Sequence, residues 1–224
     1  MSCSFIDVWL VKDLLPDNLG HCKVLDIGSG RGFWGWYLRT LSNPPMWITG
    51  IEINQHYIDK AKNLGLYDQI LKGDLLDILP KLQSDSYDLV IAIHVIEHLS
   101  KEDGYTMLGE AERVARDMVI VSTPNGESGI GIEGEYDHDM HLSGWYPKDF
   151  KALGYSTKIL QNTHTSGRVV KGFESLYRRL KRRTRLGNLV AWKNICVIDV
   201  SSESITVPEY EVAGLLVDSS VPIG

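Results

Sequence analysis

Cysteine is scarce in this sequence and its spacing is unpaired. Cys3, Cys22 and Cys196 form no CxxC and have no companion histidines at zinc-site intervals. That excludes a disulfide framework and a structural zinc module, and a reducing, cytoplasmic setting is expected. Long hydrophobic runs are missing as well. No uninterrupted apolar stretch approaches the ~20 residues needed to span a bilayer, and the opening MSCSFIDVWLVKDLL lacks the basic start and long apolar core of a signal peptide. A soluble protein without a transmembrane segment is expected. No GxxxxGK[ST] occurs, which removes the lysine-bearing phosphate cradle of nucleoside triphosphatases. Positive charge is in overall deficit, at a formal net charge of -6, yet Arg168 to Lys193 holds nine Lys/Arg against the single acid Glu174. Charge is therefore segregated along the chain.

What is present is organised around Val24 to Tyr37, VLDIGSGRGFWGWY: an apolar strand, a glycine-rich turn, then a bulky helix. Gly28, Gly30 and Gly32 alternate directly after Ile27, so the backbone can take positive φ and approach a ligand where a Cβ would obstruct it. Gly30, Gly32 and Gly35 also fit the dinucleotide pattern GxGxxG, but Gly28 already holds the place its first glycine should take. Asp26, at the strand end, can accept bonds from loop amides and from a cationic ligand group. Trp47–Ile53 (WITGIEI) is a second strand whose Glu52 sits where an acid accepts bonds from ribose hydroxyls. Gln55–Leu64 reads as a crossover helix and Ile70–Leu71 as a short third strand, with Asp74 just beyond it. Tyr87–Leu99 is a buried central strand running into a loop and helix. Lys101–Val114 reads as a helix and Asp117–Thr123 as a fifth strand. Phe5, Val8 and Trp9 recur at helical spacing in a segment that should end before Pro16. Residues 126–144 read as an extended loop, and the last strand is either Leu189–Trp192 or Ile195–Val200.

VLDIGSGRG resembles the first motif of class I S-adenosylmethionine-dependent methyltransferases, of the small-molecule type 11/23 kind, and segments as far as Tyr155 agree in order. The resemblance implies an α/β fold: a Rossmann-like, doubly wound, mostly parallel seven-stranded sheet with helices on both faces. It implies a single domain over residues 1–200, with a cofactor half at 20–125, an acceptor-side loop and basic insertion at 126–188, and a tail of unassigned role at 201–224. The cofactor is expected to be S-adenosylmethionine, bound by Asp26, Gly28, Ser29, Gly30, Gly32, Glu52, Ile53, Asp74, Leu75 and His94. In the family an acid at the position of Asp74 bonds the adenine amine, with Asp77 as a lesser alternative, and the residue at the position of His94 lies beside the methionine part and the acceptor.

Methyl transfer to a hydroxyl needs alignment, exclusion of water and removal of one proton. His141, His138 and His94 are the candidate bases. The acceptor is expected to be a small molecule, sugar or lipid-linked precursor, methylated at oxygen, because no [DNS]PP[YFW] is present for an exocyclic base amine and Cys196 follows Ile195 instead of a proline. His94, Glu97 and His98 spell HxxEH, but His94 ends a buried strand, which argues against a zinc-peptidase helix. Ribose methyltransferases acting on RNA 3′ ends hold a divalent ion with ExxEH and a distant histidine. This chain has His94 where that pattern has glutamate, and small-molecule enzymes share VIEHL without a metal, so no metal ligand is assigned. An RNA acceptor stays open through the basic helix at Arg178–Arg185, within GFESLYRRL and the residues after it. A non-catalytic cofactor-binding module is the third reading.

Overall fold

The computed structural model describes residue 8 and residues 11–127, 140–161 and 187–195. In chain order these form β1 (Lys23–Ile27), α1 (Phe33–Arg39), β2 (Trp47–Glu52), α2 (Gln55–Asn63), β3 (Gln69–Lys72), α3 (Leu75–Ile78), β4 (Tyr87–Ile93), α4 (Lys101–Val114), β5 (Ala115–Pro124), α5 (Pro147–Lys151), β6 (Ser156–Gln161) and β7 (Gly187–Asn194). The strands make one seven-stranded sheet in the order β3-β2-β1-β4-β5-β7-β6. Neighbours from β3 to β5 run parallel, and β7 is antiparallel to both β5 and β6. The expected doubly wound, mostly parallel sheet is present.

Side chains on alternate strand positions point to opposite faces, and β4 shows why such a strand must be apolar throughout. Leu89, Ile91 and Ile93 pack with Val24, Trp34, Leu38 and Val11 on one side. Val90 and Ala92 pack with Leu25, Ile27, Met107 and Leu108 on the other. Helix α1 covers the first face and α4 the second, so both layers of the doubly wound fold are buried. The helices start where a side chain can satisfy open backbone amides: Asn54 for α2, Asp74 for α3 and Ser100 for α4.

Most expected elements shift by only a residue or two. The last strand takes the first of its two readings, because Leu189, Val190 and Ala191 fill the gap beside β5. Val8, Val11 and Lys12 are helical, and the helix ends before Pro16. Phe5, Trp9, His138, Asp139, the basic segment with Arg178–Arg185 and the tail 201–224 lie outside the described residues. Gln161 and Gly187 are register partners, so the chain leaves β6 and re-enters at β7 at adjacent points. Asn188 pairs with Pro124 at the end of β5, which puts both points at the carboxyl edge of the sheet.

Candidate active site

The glycine turn after β1 is built as its alternation demands: Gly28, Gly30 and Gly32 have φ of 69°, 53° and 91°. A Cβ on Gly28 would lie 2.4 Å from Cγ2 of Val95, so the position is closed to side chains by space as well as by dihedral. Gly35 belongs to α1, where a Cβ would meet the Tyr67 ring at 2.6 Å. The third glycine of the dinucleotide-like pattern therefore serves packing, with no part in a phosphate turn.

Glu52, at the end of β2, is 4% exposed. Its Oε2 accepts from the Gly30 amide at 2.7 Å and its Oε1 from the Asn54 amide at 2.8 Å, so it pins the turn across from β1. That is a bond expected of Asp26. The Asp26 carboxylate instead accepts from the Tyr67 hydroxyl at 2.6 Å, and that hydroxyl accepts from the Gly35 amide at 3.1 Å. Burial pushes the Asp26 carboxyl up to about 7, the Tyr67 bond pulls it back, and the charge of Glu52 adds to the rise. Tyr67 precedes β3 in a stretch with no motif, so no sequence signal revealed it.

Two cavities meet at Gly28. The larger, about 270 Å³, is lined by Glu52, Ile53, Asp74, Leu75, His98 and Leu142, among others. The smaller, about 150 Å³, is lined by Ser29, Gly30, Arg31, Trp34, Tyr57 and His94, among others. Of the ten residues expected at a cofactor, eight line one or the other; Asp26 and Gly32 line neither and act on the turn's shape. Asp74 faces the larger cavity while its Oδ1 accepts the Leu76 amide at 2.9 Å, so capping and lining coexist. Asp77 lines neither cavity. Ser29 Oγ and Trp34 Nε1 are buried beside the smaller cavity with no hydrogen-bond partner in the protein. Buried polar atoms need partners, and a ligand with polar groups at this end would supply them.

The histidines are arranged by the end of β4. His94 has φ 56° and ends the strand, its amide donating to the Ser122 carbonyl at 2.8 Å. Glu97 and His98 then fall on a single 3₁₀ turn, Ile96–His98. His94 Nδ1 lies 2.9 Å from Glu97 Oε1, and the Thr123 hydroxyl donates to Glu97 Oε2 at 2.9 Å. Burial acts to raise the Glu97 carboxyl, but the His94 hydrogen bond and the electrostatic pull of the His94 and His98 rings outweigh it and hold it low. As a carboxylate, Glu97 can only accept, so His94 Nδ1 carries the proton. Residues 140–145 dock on this turn: the Leu142 and Ser143 amides donate to the Glu97 carbonyl at 2.7 and 3.1 Å, and Trp145 Nε1 donates to Ser143 Oγ at 2.8 Å. His141 thereby reaches His98, edge to face with ring centroids 4.8 Å apart. Sequence reasoning missed His98 and Leu142 as lining residues; Leu142 carries no pattern of its own.

Residues 24–118 match a family model described as a methyltransferase domain. A ubiquinone biosynthesis O-methyltransferase of Rickettsia bellii is 26% identical over 164 residues, 70% of this chain and 66% of that protein. An arsenite methyltransferase of Mus musculus is 24% identical over 226 residues, 91% of this chain and 49% of that protein. The chain thus spans between about half and just under two thirds of these curated relatives. A solved S-adenosylmethionine-dependent methyltransferase from Archaeoglobus fulgidus has the same fold, with a TM-score of 0.57 at 19% identity over 83% of this chain and 91% of that one. Residues 24–118 thus match a methyltransferase domain, and the seven-stranded sheet has the fold of solved S-adenosylmethionine-dependent methyltransferases.

Proposed function

We propose that the chain transfers a methyl group from S-adenosylmethionine to an oxygen of a small-molecule acceptor, in the cytoplasm. The observation that carries this reading is the pair of cavities joined at Gly28, with buried unpartnered donors at one end and two acids at the other. S-adenosylmethionine, when bound, supplies a methyl carbon made electrophilic by its sulfonium. In the larger cavity Glu52 would accept from ribose hydroxyls and Asp74 from the adenine amine, with Ile53 and Leu75 as apolar lining. In the smaller cavity Ser29 Oγ and Trp34 Nε1 gain partners from the amino-acid end. Gly28 and Gly30 let the backbone come close.

The proton of the acceptor hydroxyl goes to His94. Glu97 fixes the Nδ1 proton, which leaves Nε2 as the basic nitrogen and orients the ring, the arrangement that general-base histidines require. The acceptor oxygen so deprotonated would take the methyl carbon, the carbon–sulfur bonding pair leaving on sulfur. His141 and His138, the other candidate bases, belong to the acceptor-side segment. Methylation at oxygen is supported by the O-methyltransferase among the relatives. In this reading residues 20–125 hold the cofactor, and the loop and basic insertion over 126–188 serve the acceptor.

The test is to incubate the protein with labelled S-adenosylmethionine and separate metabolite and RNA fractions. Label is expected in small molecules. Label confined to RNA, or none with cofactor still bound, overturns the reading. Calorimetry should show Gly28→Val and Glu52→Ala binding S-adenosylhomocysteine at least tenfold more weakly, about 1.4 kcal/mol.

A further inference from the structure

We propose that Tyr67 is a positioning residue for the cofactor: its hydroxyl carries the ionisation state of Asp26 to the start of α1 and so couples cofactor affinity to pH. Tyr67 donates to Asp26 Oδ2 at 2.6 Å and accepts from the Gly35 amide at 3.1 Å. Two glycines make room for its ring. A Cβ on Gly35 would lie 2.6 Å from Tyr67 Cζ, and one on Gly50, the register partner of Asp26 in β2, would lie 3.2 Å from Tyr67 Cδ1.

Gly35 is in the first turn of α1, and its amide is one of those a helix leaves open at its start. The residue before the helix is Gly32, at a φ of 91°, which has no side chain to cap it. Tyr67 therefore supplies, from a distant segment, the cap that the glycine turn omits. What it holds is a wall of the smaller cavity, because Phe33 and Trp34 open α1 and line that cavity. The same stretch of chain holds the far end of the helix, through Arg39 bonded to the Leu66 carbonyl and to Asp68.

The charge on Asp26 sets how firmly the start is held. Its carboxyl titrates at about 7, so both forms are present near neutrality. Tyr67 keeps its proton throughout: burial, and then the Asp26 charge, push the phenol well above its ordinary value. Among the described residues, the titratable groups that face Asp26 are Tyr67 and Glu52, while β4 brings the apolar Ile91 beside it. A hydrogen bond to a carboxylate is shorter and roughly twice as strong as one to the neutral acid. It also polarises the hydroxyl, whose oxygen then accepts more strongly from Gly35. Ionised Asp26 thus tightens the start of α1, and protonated Asp26 slackens it.

S-adenosylhomocysteine, which carries no sulfonium charge, should be titrated by calorimetry into the whole chain from about pH 5.5 to about pH 8. Affinity is expected to rise roughly tenfold with pH and to level off above about 7, which corresponds to about one pKa unit of coupling. Asp26→Asn keeps an acceptor for Tyr67 without the charge, and should bind at the parent's low-pH level at every pH. Tyr67→Phe breaks the path and should be equally flat. A Tyr67→Phe profile parallel to the parent's overturns the proposal in favour of a purely structural tyrosine. A profile that keeps its rise but levels off at higher pH overturns it in favour of direct action of the Asp26 charge on the ligand. An Asp26→Asn profile that still rises with pH overturns it without the tyrosine variant. The coupling rests on the smaller cavity holding the cofactor, and the two fail differently: no binding at any pH removes both, whereas parent binding with a flat profile removes the coupling alone.

Discussion

Asp26 shows how one buried group can set a pH dependence. Its carboxyl titrates near 3.8 when solvated and at about 7 in the fold, so the protonated acid is the form the fold favours. The stability it contributes is complete below pH 3.8, falls as pH rises, and is gone above about 7. Asp26→Asn keeps an acceptor for Tyr67 and removes the titration. It should match the parent near pH 4 and exceed it by roughly 3–5 kcal/mol at pH 8, taking about 1.4 kcal/mol per pKa unit. Urea midpoints of the unliganded protein at both pH values check this; an equal difference at the two overturns it. Gly28→Ala meets Val95 at a positive φ and should cost roughly 2–4 kcal/mol in the same assay. At this scale the acids Glu52 and Asp74 were legible because each follows an apolar strand, where a ligand-facing position is defined by topology. Tyr67 was not, since its role depends on where a connecting segment lands in space.

Among the elements, residues 140–145 are anchored through Trp145. This ring is fully buried, packs against Phe150 with centroids 5.3 Å apart, and has the Lys101 ammonium 3.5 Å from its ring centroid. Lys101 Nζ also donates to the Gly144 carbonyl and to Asp149, both within 2.9 Å, and so ties the start of α4 to the start of α5. Gly104, inside α4, makes room for the ring: a Cβ there would lie 2.3 Å from Trp145 Cζ2. In an open helix Gly→Ala gains about 1 kcal/mol. Gly104→Ala is expected to destabilise by roughly 1–3 kcal/mol instead, because a buried indole has nowhere to retreat, and urea denaturation decides the sign. The helix α4 was read from the sequence residue for residue, as Lys101–Val114. The 3₁₀ turn at Ile96–His98 was not: its form follows from His94 leaving the strand in a left-handed conformation, which a run of apolar letters does not encode.

Across the whole molecule, the sheet order makes β1 and β4 central and leaves β3 and β6 at the edges. Amide hydrogen exchange should be slowest in β4 and β1 and faster in β3 and β6; uniform protection across the sheet would contradict that order. The fold class was legible because alternation of strand and helix leaves few topologies open, whereas the larger cavity was not, because its wall is assembled from segments far apart in sequence. The register pairing of Gln161 with Gly187 carries a last implication. Residues 162–186 begin and end at neighbouring points on the rim nearest the site, so the sheet closes whatever occupies that interval. A segment taken from another protein could be grafted there without rebuilding the scaffold.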